Sequence, residues 1–111
     1  MDSFILANGS IIRNGRVIGL TPNEAVLLGG LYKARGYCIP RRKQALWVWG
    51  SEWRWPDSWD NMLAVYHGRI RKKTSHCSFK ISHKYLYGDT FTGELDVDAS
   101  YPMPEQRVVA R

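Results

Sequence analysis

The first twenty residues alternate short apolar runs with turn signals. Phe4-Ile5-Leu6 stops at Asn8-Gly9, Ile11-Ile12 stops at Asn14-Gly15, and Val17-Ile18 leads into Leu20. Asn-Gly supplies the backbone freedom that tight hairpin turns demand, so two in succession predict a three-stranded antiparallel meander over 3–20. At Thr21-Pro22-Asn23-Glu24 the pattern changes to a helix start. Thr21 can cap the N3 amide, Pro22 suits the first helical position, and Glu24 can reach back to close a capping box. Leu27, Leu28, Leu31 and Tyr32 follow at helical spacing, which gives a helix over about 21–35 that stops near Gly36. Gly29 and Gly30 lie inside it, and a close approach by a neighbouring element would explain them.

Pro40-Arg41-Arg42-Lys43 opens a second helix that runs over about 40–50 and ends at Gly50. Pro56 forbids continuing it, so the polar stretch Ser51 to Ser58 is a connection. A third helix spans about 58–73. Trp59, Met62, Leu63, Tyr66 and Ile70 fall within one stripe of its wheel, with His67 at the border. The opposite face holds Asn61, Val65, Gly68 and Lys72, flanked by Ala64 and Arg71. After Ser78 the period drops to two. Phe79, Ile81, Tyr85 and Tyr87 alternate with polar and basic residues, which reads as strand, tight basic turn, strand, and Thr90 to Val97 reads as a further strand. Residues 98–111, with two prolines and no apolar pattern before Val108-Val109, are expected to form a loose tail behind one domain over 1–97.

Charge sharpens this picture. The chain of 111 residues carries a net +6, and residues 61–90 hold Arg69, Arg71, Lys72, Lys73, Lys80 and Lys84 against Asp89 alone. An anionic partner is the leading expectation, although basic runs also solvate helix ends and favour the macrodipole there. Arg41, Arg42 and Lys43 sit at a helix start, where cations oppose the macrodipole, a choice that makes sense if this end meets phosphates. All five tryptophans, Trp47, Trp49, Trp53, Trp55 and Trp59, fall within residues 47–59. Core packing accounts for Trp49 and Trp59, whereas Trp53 and Trp55 lie in the connection and are candidates for contact with a protein partner.

Other chemistries are weakly represented. No apolar run approaches the roughly 20 residues of a membrane span, and no signal peptide is evident, so a cytoplasmic setting is expected. Cys38 and Cys77 suggest no disulfide framework. His67, His76 and His83 with Cys77 lack the paired spacings of a zinc site. No phosphate loop or nucleophile elbow occurs, and no cofactor, metal or enzymatic activity is expected.

The order of strands, three helices with the third basic on one side, and a basic hairpin is that of a winged helix, an α+β fold. Leu20-Thr21-Pro22-Asn23-Glu24 with Leu27-Leu28 resembles the first-helix signature of the OmpR/PhoB-type winged-helix effector domain of response regulators. Val48-Trp49-Gly50 is similar to the end of that family's second helix. Arg69-Ile70-Arg71-Lys72-Lys73 is similar to the close of its recognition helix, and Phe79 to Tyr87 stands at the place of its wing. The resemblance covers roughly residues 4–91. Gln44 and Ala45 replace a usual leucine pair, Gly68 stands where an arginine is common, and Lys84 and Leu86 replace the wing's paired glycines.

The resemblance implies sequence-specific binding of double-stranded DNA and control of transcription. The third helix would enter the major groove through Asn61, Val65, Gly68, Arg69, Arg71, Lys72 and Lys73. The wing, with Lys80, His83 and Lys84, would touch the adjacent minor groove, and Arg41, Arg42 and Lys43 would add phosphate contacts. The Ser51 to Ser58 loop corresponds to the segment through which such proteins touch RNA polymerase. Without a receiver domain ahead of it, the chain is expected to be a stand-alone copy without the usual phosphorylation switch, more like a phage or mobile-element regulator. Binding as a monomer, a tandem pair or a homodimer is left open. The alternative is an interaction module that grips RNA polymerase or a host regulator through the tryptophan-rich loop. RNA binding ranks third, since Tyr85 and Tyr87 alone make a thin stacking platform.

Overall fold

A computed structural model describes residues 3–5, 9–13, 16–84 and 87–97. The N-terminal meander forms as expected, from β1 (Ser3–Ile5), β2 (Ser10–Arg13) and β3 (Arg16–Gly19), each antiparallel to the next. Gly9 takes the positive φ of 63° that its place after Asn8 predicts. Asn14 and Gly15, between the paired Arg13 and Arg16, lie outside the described residues.

Helix α1 (Pro22–Lys33) begins with the complete capping box. The Glu24 amide donates to the Thr21 hydroxyl, and the Glu24 carboxylate accepts from the Thr21 amide at 3.1 Å. Every residue from Glu24 to Leu31 is buried, so α1 is the central helix rather than a one-faced one. That burial explains Gly30. A Cβ on Gly30 would stand 2.5 Å from the Trp47 ring, so the missing side chain lets helix α2 (Arg41–Trp49) close on α1. Helix α3 (Trp59–Lys73) packs across both, burying Leu63, His67 and Ile70.

A hairpin follows, of β4 (Phe79–Lys84) and β5 (Gly88–Gly93). Phe79 and Phe91 stack at 5.2 Å, and Tyr32 of α1 meets Phe91 edge-on at 5.4 Å, so the inner face of the hairpin closes the core. The whole is a winged helix.

The structure corrects the expected strand pattern at two points. Tyr87 does not alternate within a strand: it lies in the turn, exposed, and β5 begins at Gly88, while Tyr85 and Leu86 lie outside the described residues. Nor does the wing continue to residue 97. At Gly93 the chain turns with φ 100°, Leu95 drops into the core, and β6 (Asp96–Val97) joins the N-terminal sheet parallel to β1, in the order β3-β2-β1-β6. The physical reason is an open edge. β1 has β2 on one side only, and a strand edge with unpaired amides and carbonyls recruits the next passing backbone. The expected tail, 98–111, lies outside the described residues.

Candidate nucleic-acid interface

Helix α3 turns Asn61, Ala64, Val65, Gly68, Arg69, Arg71 and Lys72 to solvent. No side chain of the described residues comes within 4 Å of a Cβ built on Gly68, so the middle of this face is open. On the wing, Lys80, Ser82 and Lys84 share the outward face of β4, opposite the buried Phe79 and Ile81. The two surfaces adjoin. The Arg71 Nε donates to the Ile81 carbonyl at 3.3 Å, and Arg71 and Lys80 line one groove of about 150 Å³ between α3 and β4.

The candidate cations divide into two groups. Arg69, Lys72, Lys80, Lys84 and Lys43 are exposed and make no ion pair among the described residues. Lys73, by contrast, turns back to the buried Glu24 carboxylate at 2.6 Å and ties the end of α3 to the start of α1. Arg42 pairs with Glu52 at 2.6 Å and lies over the rings of Trp55 and Trp59. Arg41 is the most committed: its Nε donates to Asp89 at 2.9 Å and another nitrogen pairs with Asp60 at 3.3 Å, leaving its side chain 18% exposed.

Trp53 and Trp55 also separate. Trp55 is half-buried, donates its indole N–H to the Gly50 carbonyl at 2.9 Å and packs on Trp59. Trp53 is 79% exposed, with Arg54 stacked over it.

Behind this surface lies a buried polar cluster that charge counting could not locate. Asp89, in β5, is fully buried. It accepts from Arg41 and from Gln44 Nε2, each at 2.9 Å, and from His83 Nδ1 at 3.1 Å. Gln44 Nε2 also donates to the Ile39 carbonyl, so its amide oxygen is left to accept, and His67 Nε2 must donate to it at 2.7 Å. His67 Nδ1 then carries a lone pair toward Asp89 at 3.7 Å, too far for a hydrogen bond and with no other partner. Burial strips the imidazolium of water and lowers His67 to about 4, against the pull of the Asp89 carboxylate. For Asp89, burial works upward, but the hydrogen bonds from Arg41 and Gln44 outweigh it and hold the carboxyl below its usual range.

Two sequence signals pointed at this cluster: Gln44 at a position where the resemblance expects leucine, and Asp89 as the one acid of residues 61–90. Among the described residues, no group of histidine, cysteine and carboxylate side chains could hold a metal, and no helix is long and apolar enough to cross a membrane.

No protein-family model matches the chain, and no curated protein matches it significantly. Solved structures do. The DNA-binding domain of Bacillus subtilis CssR superposes with a TM-score of 0.64 at 25% identity, over 75% of this chain and 90% of that one. The DNA-binding domain of Escherichia coli CadC superposes with a TM-score of 0.62 at 17% identity, over 80% and 83% of the two chains. The chain has the OmpR/PhoB-type winged-helix fold of these DNA-binding domains.

Proposed function

We propose that the protein is a transcription regulator that binds double-stranded DNA sequence-specifically, with α3 in the major groove and the β4–β5 wing on the adjacent minor groove. The observation that carries this reading is the single outward surface on which α3 and the wing adjoin. It combines small and polar positions, Asn61, Ala64, Val65 and Gly68, with the cations Arg69, Lys72, Lys80 and Lys84. Small side chains let a helix seat deeply in the groove, and the cations around them neutralise phosphates. CssR and CadC, which share the fold, are represented by domains named as DNA-binding.

Asn61, near the start of α3, is the reader on this view, since an asparagine pairs bidentately with adenine and the first turns of a recognition helix face base edges. Val65 can meet a thymine methyl. Lys72, Lys80 and Lys84 would grip phosphate and carry no sequence information. A preferred site selected from random duplex tests this division. Asn61→Ala is expected to cost about 1–3 kcal/mol on that site and little on random duplex. Lys84→Ala should weaken both alike and flatten the log–log salt slope by about one unit. Binding that ignores salt, or none at low salt, would falsify the DNA reading.

A second reading rests on Trp53, a large exposed aromatic that, among the described residues, has Arg54 over its ring. Such a side chain, on a single 3-10 turn (Glu52–Arg54) just after the second helix, suits a protein partner such as RNA polymerase. Trp53→Ser is expected to leave melting temperature and duplex affinity unchanged and to weaken transcriptional output or polymerase capture. Trp55→Ser should instead destabilise, because its ring packs on Trp59 and under Arg42. Unchanged output with Trp53→Ser would remove the second reading.

A further inference from the structure

We propose that Asp89 is a positioning residue: its buried carboxylate fixes the wing against α2 and α3, and so sets the spacing with which wing and recognition helix meet one duplex. The proposal rests on the DNA-binding reading for its function but not for its structural content.

Phe79, Ile81 and Phe91 bury the inner face of the wing against the helices, and Arg71 of α3 donates to the Ile81 carbonyl at 3.3 Å. Two further contacts run through Asp89. The first is a backbone bridge. Ile39, just before α2, donates to the Asp89 carbonyl at 2.8 Å and accepts from the Asp89 amide at 3.0 Å. One bridged residue pair fixes a point, and the non-directional apolar packing around it leaves the hairpin's angle free to vary. The second contact removes that freedom. From the same residue the carboxylate reaches Arg41 and Gln44 of α2 and His83 of β4, and stands opposite His67 of α3. Arg41 extends the clamp to the first turn of α3 through Asp60. Three elements that would contact DNA are thereby referred to one side chain.

Apolar packing already joins the wing to the helices, and a leucine at position 44, which the family resemblance expects, would have extended it. A buried carboxylate differs in being directional. Its acceptor sites match a small number of donor placements, so it selects one arrangement among several of similar packing energy.

Charge makes the test unambiguous. Asp89→Asn removes a negative charge from a protein whose partner is a polyanion, so electrostatics alone would tighten binding. Positioning predicts the opposite. Asp89→Asn should weaken binding to the preferred site about tenfold, and Lys84→Ala should then have no further effect, whereas Lys72→Ala should retain its full effect. Arg41→Lys is the companion variant. It keeps the charge and lies at the edge of the cluster, but a lysine cannot span Asp89 and Asp60 together. It serves if Asp89→Asn does not fold, and it should reproduce the loss of the Lys84 contribution.

The decisive measurement needs no DNA. Residual dipolar couplings of the β4 and β5 amides should fit one alignment frame with those of the helices in the wild-type protein. In Asp89→Asn or Arg41→Lys they should require a second frame. A shared frame retained in a folded variant would overturn the proposal whatever the affinity, as would equal loss of the Lys72 and Lys84 contributions. If the wild-type protein binds no duplex, the DNA reading fails while the alignment frames still decide whether Asp89 sets the wing.

Discussion

Gly88→Ala should lower the melting temperature by more than about 10 °C, the consequence of losing about 3–5 kcal/mol from a domain of this size. Two independent costs combine there. Gly88 has φ 131°, a conformation that L residues rarely adopt, and such strain costs about 1–3 kcal/mol. A Cβ would also stand 2.0 Å from the Ile39 carbonyl oxygen and 2.9 Å from the Pro40 Cα. These are backbone atoms at the start of α2, so no side chain can rotate out of the way. Either the bridge between Ile39 and Asp89 opens or the hairpin deforms. Gly68→Ala is the control. It lies in a helix, a Cβ there meets nothing among the described residues, and alanine should add up to about 1 kcal/mol. Thermal unfolding of the two variants beside the wild type measures both. A Gly88→Ala protein that melts with the wild type would mean that the wing does not close on α2 through this bridge.

What the sequence displayed well was local. The capping box at Thr21 and Glu24 involves residues three apart, and the stop signals at Gly36, Gly50 and Pro56 act on their own neighbours. Helix positions followed from these within a residue or two, and so did the meander, since Asn-Gly turns set pairing between adjacent segments. The larger failure was non-local. β6 leaves the wing to pair with β1 at the far end of the chain, and a two-residue strand has no periodicity to announce it. The failure at Tyr87 was local, since a turn residue can fall in step with a period of two over so short a window.

The interface was legible as a region but not as a set of roles. Sequence alone could count Lys73, Arg41 and Arg42 among available cations. The buried partners of Lys73 and Arg41 stand far away in sequence: Glu24 is on α1, and Asp89 is on β5. Asp89 itself registered only as the lone acid in a basic segment, when its isolation there was the clue. An acid that survives in a stretch devoted to positive charge has a partner to hold. His67, placed at the border of the apolar stripe, belongs wholly to the core, because Gln44 supplies a buried acceptor for its N–H. Reading that pair required knowing that α2 and α3 cross at these two positions.

The same pair makes the fold sensitive to acid in a window set by His67. Its folded value is lowered from 6.5 to about 4, so the folded protein resists a proton that the unfolded chain accepts. Above pH 6.5 both states are neutral at this residue and His67 has no effect on stability. As pH falls from 6.5 toward 4, the unfolded state is protonated first and stability is lost, reaching about 3 kcal/mol once the folded value is passed. Asp89 acts lower. Its folded value lies below the ordinary 3.8, so its contribution persists through this window and declines only in stronger acid. Around the ring, Asp89 of β5 attracts the proton, while Arg41 of α2, Arg71 of α3 and His83 of β4 repel it. General repulsion in a chain of net charge +6 also grows as pH falls, so the wild-type slope is not attributable to one residue. His67→Gln separates the two. Glutamine can still donate to the Gln44 oxygen, but it does not titrate. Urea midpoints measured from neutral pH down through the window should fall for both proteins, and more steeply for the wild type. The difference between the two curves should open below pH 6.5 and level off near 4. Parallel curves would mean that His67 takes its proton in the folded state as readily as in the unfolded one. The Nδ1 lone pair would then have given way to a donor to Asp89, and His67 would be a second cation on that carboxylate beside Arg41 rather than a neutral neighbour.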